Sequence, residues 1–320
     1  MKRFAAAFVS VLFLGAAAAA DEAPPVTDWT TNEVVVVDAS AQGPAMWHLQ
    51  KGDSEIWFLG TVGLMPKDLA WNTMRLEQTI DGANAMWLPP EANADLLDVF
   101  DLSWFFLTHR GVLSMPGDQT LEESLPPELR ARFVAARERL GKKASEYEDD
   151  SPLLAGFKLL GAFVDVRKMT AELPRKAAQK IARDKHVKVR RIAEYNATPL
   201  IKEMFKLPRE AGRVCLVNGL TQVEILEKHA VAAADAWAVG DVAGIKANYS
   251  TALFRDCVMQ TKRFGELNQR AVDDTVKTVH EALARPGKTV MLIDVGWLFR
   301  AGGVADRLAA EGLVLEGSAD

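Results

Sequence analysis

Cysteine is scarce in this chain: of 320 residues, Cys215 and Cys257 are the only two. There is no Cys-x-x-Cys pair and no Cys-His cluster, which excludes zinc ribbons and dithiol redox sites. Histidine is nearly as rare. His48, His109, His186, His229 and His280 include no His-x-x-x-His pair and no His-Glu-x-x-His helix signature. A Gly-x-Ser-x-Gly elbow, a Ser-x-x-Lys pair and a Gly-x-x-x-x-Gly-Lys loop are all missing, which removes three common routes to nucleophilic or phosphate chemistry. Basic charge is in deficit as well. The net charge is −5, against the pattern of a nucleic-acid binder. Beyond the first twenty residues no apolar run is long enough to span a bilayer.

What is present starts with the N-terminus. Lys2 and Arg3 form a basic flank, Phe4–Leu14 an apolar run, and Ala16–Ala20 a stretch of small residues before Asp21. This is the pattern of a signal peptide cleaved near Ala20. An uncleaved anchor is the alternative, disfavoured because no basic stop-transfer flank follows. The expected mature chain is exported, to the periplasm or outside the cell, and has no membrane span. Residues 21–44 read as a flexible segment with one short apolar run at 34–37. In an oxidising compartment an even cysteine pair is expected to be bonded, the alternative being two separate buried thiols. A Cys215–Cys257 bond closes 43 residues, counted inclusively, for a stabilisation of about 4 kcal/mol.

From residue 45 the patterning is that of an α/β chain. Residues 45–50 and 55–59 flank Lys51-Gly52-Asp53-Ser54, which predicts a hairpin with a half-exposed first strand and a central second one. The second strand runs into Gly60-Thr61-Val62-Gly63. Helical spacing follows over 68–82, then an apolar strand 83–88 stopped by Pro89-Pro90. Residues 95–235 are mostly helical in pattern, interrupted by an edge strand at 187–192. A helix over about 267–284, a buried strand 289–296, a loop 297–303, a helix 304–310 and a closing strand 313–315 complete the chain.

Several of these stretches resemble the TraB/GumN family of Tiki-like metal-dependent hydrolases. The resemblance rests on the Gly60-Thr61 turn, the Trp87-Leu88 strand, Ala236-Trp237-Ala238-Val239-Gly240-Asp241, the cysteine pair, the Arg270 helix and the Gly296-Trp297-Leu298-Phe299 turn. It implies one domain over 45–317. Its mixed sheet would be built from two related halves, hairpin–turn–helix–strand and strand–turn–helix–strand, with a helical insertion at about 95–235. It also implies a metal centre fed by a His from each turn and a Glu after the first apolar strand. Here Gly63 stands at the first His position, Pro89 at the Glu position and Phe299 at the second His position. The expected cleft is lined by Gly60, Thr61, Trp57, Trp87, Gly296, Trp297, Phe299 and Arg270.

Glycine and phenylalanine have no lone pair for a divalent cation. The expectation is therefore a non-catalytic binding or scaffold protein with no metal and no other cofactor, its partner an unidentified protein or small molecule. The alternative is a divergent hydrolase or peptidase holding zinc or manganese on relocated ligands. For that, Glu91, Asp294 and His48 are the candidates. Asp294 sits in an apolar strand, so it needs a partner, for which Arg270 or Arg300 is expected. Were the Gly63 and Phe299 turns far apart, an unrelated exported α/β protein would be the better reading.

Overall fold

A computed structural model describes residues 43–93, 104, 105, 107, 108, 111, 113–249, 257 and 261–317. The expected signal peptide, nearly all of the 21–44 segment, most of the apolar stretch 96–107 and, apart from Cys257, residues 250–260 lie outside the described residues. The expected mixed α/β class is what the structure has, with a six-stranded mixed sheet and a large helical part.

The sheet begins with the hairpin of β1 (Met46–Lys51) and β2 (Ser54–Thr61), paired from Met46 opposite Leu59 to Lys51 opposite Ser54. After the short β3 (Met65–Pro66) come β4 (Ala85–Leu88) and β5 (Glu91–Asn93). Then follow β6 (Met169–Thr170), β7 (Val189–Arg191), β8 (Glu194–Asn196), β9 (Gly287–Asp294) and β10 (Glu316–Gly317). The order in the main sheet is β10-β1-β2-β9-β4-β7. The hairpin and β10 are antiparallel neighbours, whereas β2, β9, β4 and β7 run parallel.

Strands buried on both faces read as continuous apolar runs, and β2 and β9 divide such runs between two cores. Ile56, Phe58, Met291 and Ile293 join Trp47 and Leu49 on one face. They pack there against Val272, Val276, Val279 and Leu283. Leu59, Val290 and Leu292 join Met46 and Met86 on the other face, against Leu76, Ile80, Ala178 and Ile181. The helices that cover the second face are α1 (Met74–Ile80) and a later helix at Leu173–Asp184.

Between these sheet elements stand α2 (Leu121–Ser124), α3 (Pro127–Arg139), α4 (Pro152–Val166), α5 (Leu173–Asp184), α6 (Thr198–Met204) and the 30-residue α7 (Arg209–Ala238). Helices α4 and α7 touch backbone to backbone. A Cβ on Gly219 would lie 3.1 Å from both Cα and O of Gly156. A third core, with Leu159, Phe163, Leu216, Leu220 and Val223, fills this part. The chain closes through α8 (Val242–Asn248), α9 (Lys262–Leu283), α10 (Val295–Phe299) and α11 (Val304–Ala309).

Several boundaries differ from the sequence reading, among them the helix expected over about 267–284, which starts at Lys262. The helix expected over 68–82 starts only at Met74. Pairing of β3 with β6 and the Lys67 N–H bond to Lys168 O hold the preceding residues in a turn, and Asn72 Oδ1 receives Met74 N–H. After the two prolines the chain resumes extended structure as β5, paired with β8. The expected loop at 297–303 begins instead as helix α10, because Asp294 caps it. The closing strand is at 316–317, opposite Trp47 and His48. Strand β1 alternates as expected from Trp47 onward, but Met46 is buried too.

Candidate functional site

Strands β2 and β9 run in parallel register with Thr61 opposite Asp294, so the turns that follow them leave the sheet side by side. In α/β sheets, ligand sites form beyond the carboxyl ends of such strands. Here Val62, Gly63 and Leu64 from the first turn meet Asp294, Gly296 and Trp297 from the second. Together they border a cavity of about 570 Å³. The helical part supplies its opposite wall through Leu160, Val164, Ile225, Leu226, Ala230 and Ala233.

The polar end of the cavity is built around Asp294. Its Oδ1 accepts from Gly296 N–H at 2.9 Å, the N-cap of α10, and from the Tyr249 hydroxyl at 2.6 Å. The Trp297 N–H points to the same carboxyl and favours its ionised form. Asp294 is half-buried, with one side open to the cavity. Burial raises its pKa above the usual carboxylate range. The Tyr249 hydroxyl, the two backbone N–H groups and the nearby charge of Arg300 oppose that shift without cancelling it. Gly296 is required by this arrangement, since a Cβ there would lie 2.6 Å from the Tyr249 hydroxyl oxygen.

The Arg300 side chain is buried. Its Nη1 donates to Asn268 Oδ1 at 3.1 Å, and its guanidinium lies 5.1 Å from the centre of the Trp297 ring. On the α7 side, His229 Nδ1 is 3.0 Å from Asn248 Oδ1. Asn248 Nδ2 donates to Gly244 O, which leaves its Oδ1 as acceptor and places the hydrogen on His229 Nδ1.

Asp294 is therefore met first by a tyrosine hydroxyl and by backbone, rather than by the expected arginine ion pair. Arg270 lies elsewhere, 3.9 Å from Asp274 and 5.3 Å from the Tyr195 ring centre. Of the expected cleft residues, Gly296 and Trp297 line this cavity. Gly60 lies one layer below: its carbonyl accepts from Trp237 Nε1 at 2.7 Å, and a Cβ on it would come within 2.4 Å of the Trp47 ring. Thr61 donates to Ile293 O. Trp57 stacks on His48 at 4.4 Å, and Trp87 lies under the Arg190 guanidinium. Trp237, the anchor of the Ala-Trp-x-x-Gly-Asp stretch, is fully buried against Trp71.

The positions that the resemblance assigns to a metal do not fit one. Gly63 faces open space and brings no side chain. Phe299 turns into the core, edge-on to Trp47 at 4.8 Å. The Pro89 carbonyl accepts from Arg191 Nη1. The relocated candidates are held apart by different partners. Glu91 is paired with Arg191 at 2.6 Å and Arg175 at 3.4 Å. His48 is 3.2 Å from Glu55. Among the described residues no group of three or more His, Cys, Asp or Glu side chains is placed to hold a metal ion.

The cysteines are bonded, with Cα atoms 4.8 Å apart and both residues fully buried. The bond ties the first turns of α7 to the segment beyond Tyr249. Sequence reasoning missed Tyr249, Asn248, Asn268 and the aliphatic wall. One usable signal existed: a buried Asp needs a donor, and only three tyrosines are available. Among the described residues no helix is long and apolar enough to cross a membrane.

A family model described as the TraB/PrgY/gumN family matches residues 45–316. No curated protein and no solved structure matches this chain.

Proposed function

This chain belongs to the TraB/PrgY/gumN family, and from that premise we propose that it is an exported binding protein that works without a metal ion. Its ligand site is the cavity beyond β2 and β9. The observation that carries this reading is the exchange at the two turns. Gly63 leaves the cavity mouth without a donor, and Phe299 spends its ring on the core beside Trp47. What remains is a chamber of about 570 Å³ walled largely by aliphatic side chains, with Gln222, His229, Asn248, Tyr249, Asn268, Asp294 and Arg300 as its polar groups. That is the general form of a small-molecule site, for which roughly 300–1,000 Å³ is usual. The disulfide and the signal-like N-terminus support export.

Two measurements on residues 21–320 test it. Elemental mass spectrometry after incubation with zinc, manganese and cobalt is expected to find far less than one ion per chain. The neutral fluorophore N-phenyl-1-naphthylamine is expected to brighten in a saturable way with about one site per chain. One tightly held ion per chain overturns the metal-free reading. Absence of saturable probe binding overturns the cavity as the site.

A further inference from the structure

On the reading that this cavity binds a ligand, the wall contributed by α7 bears on what that ligand must bring. Gln222, Ile225, Leu226, His229, Ala230 and Ala233 recur three and four residues apart, so they share one face of the helix, and all six border the cavity. His229 is the ionisable side chain among them, half-buried in a largely aliphatic stripe. Its ring is fixed. Nδ1 donates to Asn248 Oδ1 at 3.0 Å, and Asn248 is held in turn by its own bond to Gly244 O at 3.0 Å. In the neutral ring this leaves Nε2 as an acceptor. Among the described residues Nε2 has no partner, and it keeps accessible surface on a side chain that borders the cavity.

The hydrogens nearest to this acceptor are spent within the wall. The one on His229 Nδ1 goes to Asn248. The one on the Tyr249 hydroxyl, a residue further on, goes to Asp294 Oδ1 at 2.6 Å. What His229 turns to a ligand is therefore a lone pair. An ether oxygen against Nε2 would set acceptor against acceptor and leave both unpaired, whereas an O–H or N–H completes the bond. We infer that His229 is the residue by which the cavity recognises its ligand, and that the ligand presents a hydroxyl or N–H donor to Nε2 on an aliphatic body lying along Ile225, Leu226 and Ala230.

The test is competition against bound N-phenyl-1-naphthylamine at pH 8, where a histidine is ordinarily neutral. The competitors are decanol and decyl methyl ether, which keeps the oxygen but has no hydrogen to donate. Decanol is expected to displace the probe at about tenfold lower concentration than the ether. Equal displacement by the two overturns the inference while leaving probe binding, and so the cavity itself, intact. In His229→Phe the advantage of decanol should fall below about threefold. An advantage that survives unchanged in this variant places the acceptor on another residue and overturns the inference too. A second measurement needs no variant to fold: nitrogen NMR of the native chain with labelled histidine. Of the five imidazoles, one should show an unprotonated Nε2 whose signal moves with decanol and stays in place with the ether. Five unmoved histidines overturn the inference.

Discussion

Tyr249 and Asp294, 45 residues apart in the chain, meet through a 2.6 Å hydrogen bond in which the tyrosine hydroxyl donates to Oδ1. Hydrogen bonds to charged groups contribute about 1.5–3 kcal/mol. Tyr249→Phe should lower unfolding stability by an amount in that range, measured by urea titration near pH 7. A loss under a few tenths of a kcal/mol would mean the bond contributes nothing.

Asp294 also sets a pH dependence. Its folded pKa is raised, chiefly by burial, so the folded state holds the proton more tightly than the unfolded chain does. The stabilisation this provides is complete below the ordinary aspartate pKa of about 3.9 and is lost as pH rises through the folded value. Asp294→Asn mimics the protonated form and does not titrate. The stability of the native chain relative to this variant should therefore fall from pH 4 upward and then level. A difference that stays flat with pH, or one that rises, contradicts the assignment.

Gly296 faces the same tyrosine. An added methyl would lie 2.6 Å from the hydroxyl oxygen and 2.9 Å from Cε1. Overpacking of this kind costs about 1–3 kcal/mol. Gly296→Ala should show that cost alone and much less of it in combination with Tyr249→Ala, because residues in contact are not additive. Strict additivity in a double-mutant cycle would place the strain elsewhere.

The two turn positions should respond in opposite ways to histidine. Around Gly63 there is open space, so Gly63→His should change stability by less than about 0.5 kcal/mol. Phe299 is buried against Trp47, so Phe299→His should cost about 2–4 kcal/mol through lost packing and a buried imidazole. Thermal unfolding of the two variants measures the contrast. Equal effects would mean that Phe299 does not support the core.

Removal of the Cys215–Cys257 bond should cost about 4 kcal/mol, as expected for a loop of its length. Guanidinium unfolding of the paired Cys215→Ala/Cys257→Ala variant reads this directly. A loss below about 1 kcal/mol would mean the unfolded chain is already constrained.

Much of this arrangement was legible in the residues. The hairpin, the apolar runs of β2 and β9 and the Gly-Thr turn follow from period and turn chemistry, because each is a local property. The juxtaposition of Gly63 with Asp294 was legible only through the family resemblance, since parallel pairing across more than 230 residues leaves no local trace. Tyr249 escaped notice for a similar reason. Its role depends on where α8 delivers it, and nothing in Ala247-Asn248-Tyr249 marks a partner for Asp294. The expected arginine pairing overlooked that an N-cap carboxylate can be satisfied by backbone donors. The aromatic cleft expectation failed in part because Trp57 and Phe299 lie on strand and helix faces turned to other neighbours, which spacing alone does not assign.

The register of β2 against β9 has a consequence for how the protein comes into being. Thr61 emerges from the ribosome long before Asp294, yet the two turns that border the cavity are held side by side by the pairing of their strands. A nascent chain that stops short of Gly287 lacks β9 and so the second of the two turns that border the cavity, however well its helical part is packed. The cavity is therefore complete only once synthesis has passed Asp294 and β9 has entered the sheet.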